Sequence, residues 1–206
     1  MHIAFEGPIA AGKTTFARLL AEQLGTACDL LLEDFEGNEF LRDFYETPAR
    51  WALPMQLDFL LSRHAQFRTA HVSSKSWLVA DHSMLKDEIF ARLLLRDRES
   101  DLYQRIARSL PSEIARPDLT VYLDAPVETL LDRIRARGRS YESHVDANYL
   151  ERLRHGYNTL FETVESSRTV IVDTSTFDGT SSEGVSDCLQ AILERAQVIR
   201  NANGQE

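Results

Sequence analysis

Apolar and polar positions along the chain fall into two alternating periods. Short apolar runs occur at His2 to Glu6, Asp29 to Glu33, Trp77 to Asp81, Leu119 to Leu123 and Thr169 to Asp173, each the length of a buried strand. Longer stretches with helical spacing lie between them. Phe16, Leu19, Leu20 and Leu24 mark a helix over Thr14 to Leu24. Further helices are expected over Pro48 to Ser73, Lys86 to Arg96, Ser100 to Leu110, Pro126 to Ala136, Asp146 to Val164 and Glu183 to Arg200. Strands separated by helices pair in parallel, because each crossover returns the chain to the same end of the sheet and covers a face of it. The pattern predicts an α/β fold of three layers, a five-stranded parallel sheet flanked by helices. Pro111 and Pro117 bracket a connector, and Asp173 to Gly184, rich in Ser, Thr and Gly, reads as a loop. No repeat or linker interrupts the order, so a single domain over residues 1–200 with a frayed tail at 201–206 is expected.

Composition narrows the function classes. At 206 residues the chain suits one core. Hydrophobic residues at 43% and charged residues at 27% exclude a disordered or collagen-like chain. A formal net charge of −9 argues against a nucleic-acid binder, which needs a basic face. Cys28 and Cys188 stand alone without C-x-x-C spacing, which excludes a disulfide scaffold or cysteine-rich zinc site and suits a reducing cytoplasm. No stretch approaches the roughly 20 apolar residues of a membrane span. Nothing before Gly7 resembles an address. A soluble cytoplasmic protein without a membrane partner is expected.

The first chemistry to appear is Gly7-Pro8-Ile9-Ala10-Ala11-Gly12-Lys13-Thr14, a match to G-x-x-x-x-G-K-[ST] set between a strand and a helix. Backbone N–H groups over Gly7, Ala10, Ala11, Gly12, Lys13, Thr14 and Thr15 would curl around phosphate oxygens at the positive helix end. Lys13 would reach the β and γ phosphates of ATP, and the Thr14 hydroxyl would hold Mg²⁺. Such loops serve switches, motors and kinases alike. The absence of N-K-x-D after the fourth or fifth strand excludes a regulatory GTPase, and the chain is too short for a motor.

Three further groups of residues carry chemistry, and each also has an ordinary structural reading. Glu33 and Asp81 end the second and third predicted strands, where ligands of open α/β sheets sit. There a carboxylate takes a proton from an attacking hydroxyl or holds Mg²⁺; it could equally cap the next helix. Gln56 and Arg63, seven positions apart beside Phe59, Leu60 and Phe67, share one helix face that suits a flat ring with polar edges. An arginine stem laid over a core gives the same pattern. Arg133, Arg135, Arg137 and Arg139 surround Gly138 and read as a phosphate-clamping lid, or as cations complementing a helix end.

Taken together, these residues resemble the deoxyribonucleoside kinase family, with deoxycytidine, deoxyguanosine and deoxyadenosine kinases as the nearest pattern. The likeness rests on Gly7 to Thr15, Glu33, Asn38-Glu39-Phe40-Leu41, Phe44-Tyr45-Glu46, and Pro48 through Gln56, Arg63 and Gln66. It continues through Asp81-His82-Ser83 with Asp87, Arg137-Gly138-Arg139 with Glu142, and Tyr149-Leu150. The resemblance implies the three-layer P-loop kinase fold and a homodimer. It implies ATP-dependent phosphorylation of the 5′-hydroxyl of a deoxyribonucleoside, purine or cytosine rather than thymidine.

By the same resemblance Glu33 is the base, Asp81 lies by the metal with Thr14, and Gln56 pairs with the nucleobase. Arg63 and Asp87 shape the pocket around the exocyclic groups. Tyr45 and Glu142 hold the sugar 3′-hydroxyl. Arg133, Arg137 and Arg139 wrap the donor phosphates, and Phe177 and Asp178 lie near the donor adenine. One position departs from the pattern: His82 stands where the family carries an arginine, and the lid arginines with Lys86 are expected to supply the missing charge. Two alternatives remain at this stage, a monophosphate kinase resembling thymidylate kinase and a nucleotide-binding regulator with weakened catalysis.

Overall fold

The computed structural model describes residues 1–70, 74–111, 114, 116–164, 166–177 and 182–203. The strands are β1 (His2–Glu6), β2 (Cys28–Leu31), β3 (Trp77–Ala80), β4 (Leu119–Asp124) and β5 (Thr169–Asp173). All neighbours pair in parallel in the order β2-β3-β1-β4-β5. Register sets Leu31 and Ala4 opposite Ala80, and Glu6 opposite Tyr122, so the strands end side by side. The helices are α1 (Lys13–Leu24), α2 (Leu41–Glu46), α3 (Pro48–Ala70), α4 (Leu85–Leu94), α5 (Asp97–Ser109), α6 (Val127–Arg137), α7 (Ala147–Thr163) and α8 (Ser182–Asn203).

The period of two along the strands sends alternate side chains to opposite faces. Ile3, Phe5, Leu119, Val121 and Leu123 join Phe16 and Leu20 of α1 and Leu189, Ile192 and Ala196 of α8 in one core. Tyr122 points the other way, against Ile89 and Phe90 of α4 and Leu153, Tyr157 and Phe161 of α7. A separate cluster joins Met55, Phe59 and Leu60 of α3 to Phe44 of α2, Ala91, Leu95 and Tyr103. This cluster packs α3 against α2, α4 and α5, and Gln66 Nε2 ties α3 to the chain beyond β2 by donating to the Leu32 carbonyl at 3.0 Å.

The predicted five-stranded α/β fold is the one observed, with differences at element ends. β2 stops at Leu31, so Glu33 stands past the strand; its N–H turns out of the ladder to donate to Asp81 Oδ1 at 2.7 Å. Six-residue α2 went unpredicted, because one buried residue, Phe44, produces no helical period. α8 runs on to Asn203, holding Ala196 and Ile199 in the core, so the expected tail at 201–206 is helical over its first half. Residues 71–73 at the end of the predicted Pro48 helix, 178–181 in the loop before α8, and 204–206 lie outside the described residues.

Candidate active site

The loop after β1 is shaped by its backbone. Gly7 sits at φ +146°, and a Cβ there would lie 2.2 Å from the Leu123 carbonyl oxygen, so only glycine fits. Gly12 opens α1 at φ +102°, and Ala10 takes a left-handed φ of +65°, which costs about 1–2 kcal/mol for a residue with a Cβ. Lys13 Nζ donates to the carbonyls of Gly7 and Pro8, each at 2.8 Å. Burial, then repulsion from Lys86, pushes the Lys13 pKa down to about 8. Arg133 crosses the loop's open side, its guanidinium donating to the Thr174 and Phe177 carbonyls and the Thr174 hydroxyl.

Beyond β2, β1 and β3 lies a group of acids with matched cations. Glu33 Oε1 accepts from Arg63 Nε at 2.7 Å and Oε2 accepts from Lys86 Nζ at 2.6 Å. Burial alone would raise the Glu33 pKa, but Lys86 and Arg63 hold it well below the usual carboxylate range. Glu33 is therefore ionised at neutral pH. Arg63 also bonds Asp87 Oδ1, so one buried guanidinium joins two carboxylates. Asp81 Oδ2 accepts from the Thr14 hydroxyl at 2.6 Å and Oδ1 lies 3.2 Å from His82 Nδ1. Burial opposes ionisation of Asp81, and the His82 and Thr14 hydrogen bonds overcome it.

Glu6 completes the group. It is fully buried, accepting from Ser83 N–H at 2.8 Å, Ser83 Oγ at 2.6 Å and Tyr157 OH at 3.2 Å, and burial raises its pKa. It ties the end of β1 to the turn that carries Asp81 and to α7.

Two cavities meet over this group. One extends beneath α3 and is lined by Tyr45, Gln56, Phe59 and Arg63; the other follows the phosphate loop past Thr15 to Arg133 and Phe177. Lys13, Thr14, Glu33, Asp81, Arg137 and Arg139 line both. Gln56 Oε1 and Asp87 Oδ2 are buried acceptors without a hydrogen-bonded donor. The lid end is held by Glu142, which accepts from Arg137 at 2.7 and 3.1 Å and from Arg139 at 3.4 Å. Arg139 also lies over the Phe35 ring at 4.0 Å, and Tyr45 packs near Tyr141 at 5.7 Å between centroids. Burial keeps the Tyr45 phenol protonated, its pKa raised well above the usual value.

The Thr14 hydroxyl and Asp81 carboxylate are a fitting donor pair for Mg²⁺, a hard cation that takes oxygen ligands and completes its shell with water and substrate phosphates. No group of three or more His, Cys, Asp or Glu suited to a metal occurs among the described residues.

Most residues expected from sequence converge. Asp87 does not line the α3 cavity; it stands behind Arg63 and faces Tyr103 OH at 3.4 Å. Arg133 lines the loop cavity with Arg137 and Arg139 but is bound to carbonyls of the chain, while Arg135 pairs with Asp132 at the surface. Phe177 lines the loop cavity, and Asp178 lies outside the described residues. Glu6, Phe35 and Tyr141 were not anticipated. Glu6 had a signal, a carboxylate closing an apolar strand directly before the loop, because a charge in a buried parallel strand needs partners. Phe35 sits in irregular chain and Tyr141 in a short 3₁₀ turn, Ser140–His144, and neither has a period to mark it.

The model of the deoxynucleoside kinase family matches residues 3–194. Deoxyguanosine kinase of Bacillus subtilis is 32% identical over 168 residues, covering 80% of this chain and 80% of that protein. Deoxyadenosine kinase of Dictyostelium discoideum is 32% identical over 168 residues, covering 79% and 67%. The structure of deoxyadenosine kinase from M. mycoides, with dCMP and a flexible dCDP bound, matches with a TM-score of 0.81 at 23% identity over 96% of this chain and all of that one. At that identity the likeness is one of fold.

Proposed function

Because the chain belongs to the deoxynucleoside kinase family, phosphotransferases with an alcohol acceptor, we propose that it uses ATP to phosphorylate the 5′-hydroxyl of purine deoxyribonucleosides with Glu33 as the base. Phosphorylation of deoxynucleosides follows from the family and from relatives that carry the activity in their names. The donor, the base preference and the residue roles are the proposal. The observation that carries it is the junction of the two cavities: a triphosphate on the loop and a nucleoside under α3 would meet at Glu33 and Lys13.

In this reading the ionised Glu33 carboxylate accepts the 5′-hydroxyl proton as the oxygen attacks the γ-phosphorus, and the bond to the ADP oxygen breaks. Lys13 leaves the Gly7 and Pro8 carbonyls for phosphate oxygens. Mg²⁺, held by Thr14 and Asp81, would supply positive charge to the phosphates. Arg137 and Arg139 reach the donor from the lid, and Glu142 with Tyr45 receives the 3′-hydroxyl. Transfer of this kind depends mostly on positioning and charge, which preorganised groups provide without rearranging.

A base with an exocyclic amino group, purine or cytosine rather than thymine, is supported by the unpaired acceptor Gln56 Oε1 in the α3 cavity, which calls for an N–H donor. The named relatives point the same way. A monophosphate acceptor is not favoured, because Arg63, the cation under α3, is already neutralised by Glu33 and Asp87 and a phosphate there would face Glu33. A cytoplasmic homodimer completes the reading, supported by the family resemblance and two unbonded cysteines. No described helix is long and apolar enough to cross a membrane.

The test is ADP release with ATP and Mg²⁺ over the four deoxynucleosides and their monophosphates. Turnover is expected with deoxyguanosine or deoxyadenosine and little with thymidine. Turnover on monophosphates alone would overturn the reading.

A further inference from the structure

Lys86 enters the junction from the first turn of α4 and is 8% exposed. Its ammonium donates to Glu33 Oε2 and lies 5.5 Å from the Phe90 ring centroid. It lines the α3 cavity together with Lys13, Thr14 and Asp81. Lys13 faces the same cavity, its ammonium donating to the Gly7 and Pro8 carbonyls at 2.8 Å. Two ammonium groups that face one cavity suit a shared anion, and Glu33 meets only Lys86 by a hydrogen bond, whereas Lys13 donates to neutral carbonyls. The anion this junction suits is the phosphoryl group in transfer.

The neighbouring basic side chains are placed differently. Arg63 is gripped by two carboxylates, Glu33 and Asp87. His82 is fully buried, with Nδ1 on Asp81 and its ring 5.0 Å from Phe67, and it lines neither cavity. Arg137 and Arg139 are anchored to Glu142 at the lid. Lys86 differs from all of these. It holds one carboxylate, carries three N–H donors and has a flexible four-carbon stem.

Resting on the kinase reading above, we infer that Lys86 is a catalytic residue: its ammonium holds Glu33 before substrates bind and moves onto the transferring phosphoryl group. As the hydroxyl proton passes to Glu33, the 5′-oxygen bonds to phosphorus and ADP leaves with the electron pair of the broken P–O bond. Lys86 keeps its protons throughout and supplies charge alone. Its move from carboxylate to phosphoryl also frees Glu33 to take the proton.

Steady-state kinetics of Lys86 variants test this. Lys86→Met keeps the stem and removes the charge; kcat is expected to fall about 10²–10³-fold while KM for the deoxynucleoside changes less than about 3-fold. Lys86→Arg should retain about a tenth of wild-type kcat, and Lys86→Ala should regain activity as ethylammonium is added. Loss in the Met variant restored by either route supports the assignment. Loss restored by neither marks Lys86 as structural and overturns it, as does a Met variant within about 3-fold of wild type. A wild-type enzyme that phosphorylates no deoxynucleoside overturns the kinase reading as well, whereas an active wild type with an unaffected Met variant removes only the role of Lys86.

Discussion

The phosphate-loop side and the α3 side of the junction are built by different means. The phosphate-loop side is local: one strand, one loop and one helix within Gly7 to Thr15, shaped by backbone geometry at Gly7 and Gly12. The α3 side gathers Glu33 from beyond β2, Gln56 and Arg63 from α3, Lys86 from α4, and Tyr45 from α2. Glu142 arrives on the turn after α6. A backbone site tolerates side-chain change and fails on steric change; a side-chain site behaves the other way round. The two meet at Glu33, which belongs to neither alone.

The largest effect is expected where they meet. Glu33→Gln keeps the shape and removes the proton acceptor, so kcat at saturating substrates should fall about 10²–10⁴-fold. A near-wild-type kcat would show that the base lies elsewhere.

Next comes a steric insult to the backbone side. Gly7→Ala forces a Cβ against the Leu123 carbonyl and should cost about 2–4 kcal/mol in denaturant unfolding. A variant as stable as the parent would mean that the loop adjusts freely. Arg137→Ala and His82→Ala sharpen the comparison on the side-chain part. The first removes a cation facing both cavities and should lower kcat/KM for ATP about 10- to 100-fold. The second removes a buried ring and should act mainly on stability, by about 1–3 kcal/mol. A collapse of kcat with His82→Ala and none with Arg137→Ala would reverse the assignment.

A smaller change separates the two halves kinetically. Gln56→Ala should raise KM for the deoxynucleoside about 10-fold and leave KM for ATP unchanged, in assays varying each substrate in turn.

The smallest effect is one of pH. With the Lys13 pKa at about 8 against its usual 10.5, the ammonium is lost as pH rises through 8. kcat/KM for ATP should fall about tenfold by one unit above that value. Stability moves oppositely: between those two values the unfolded chain binds more protons, so the Lys13 contribution to stability rises with pH. Parallel pH profiles of activity and unfolding distinguish the two, and a flat activity profile would remove Lys13 as the titrating group.

Legibility in the sequence followed the same division. The phosphate loop, the five strands and the alternation with helices were readable, because they depend on residues near one another in the chain. Gln56 and Arg63 were readable as a shared helix face, but the grip of Arg63 on both Glu33 and Asp87 was not. Arg133 sat in a cluster of arginines by sequence, yet its geometry is set by the Thr174 and Phe177 carbonyls, some forty positions away.

The chain by itself determined the parallel sheet, the loop that suits a triphosphate and the identity of most groups at the strand ends. Tertiary structure alone decided which polar groups touch: Lys86 on Glu33, Thr14 on Asp81 and Ser83 on Glu6. The reason is physical. Periodicity and backbone preference act over a few residues and are written locally, whereas an ion pair in a buried site depends on where a whole helix is docked, and that is settled by the packing of three cores at once.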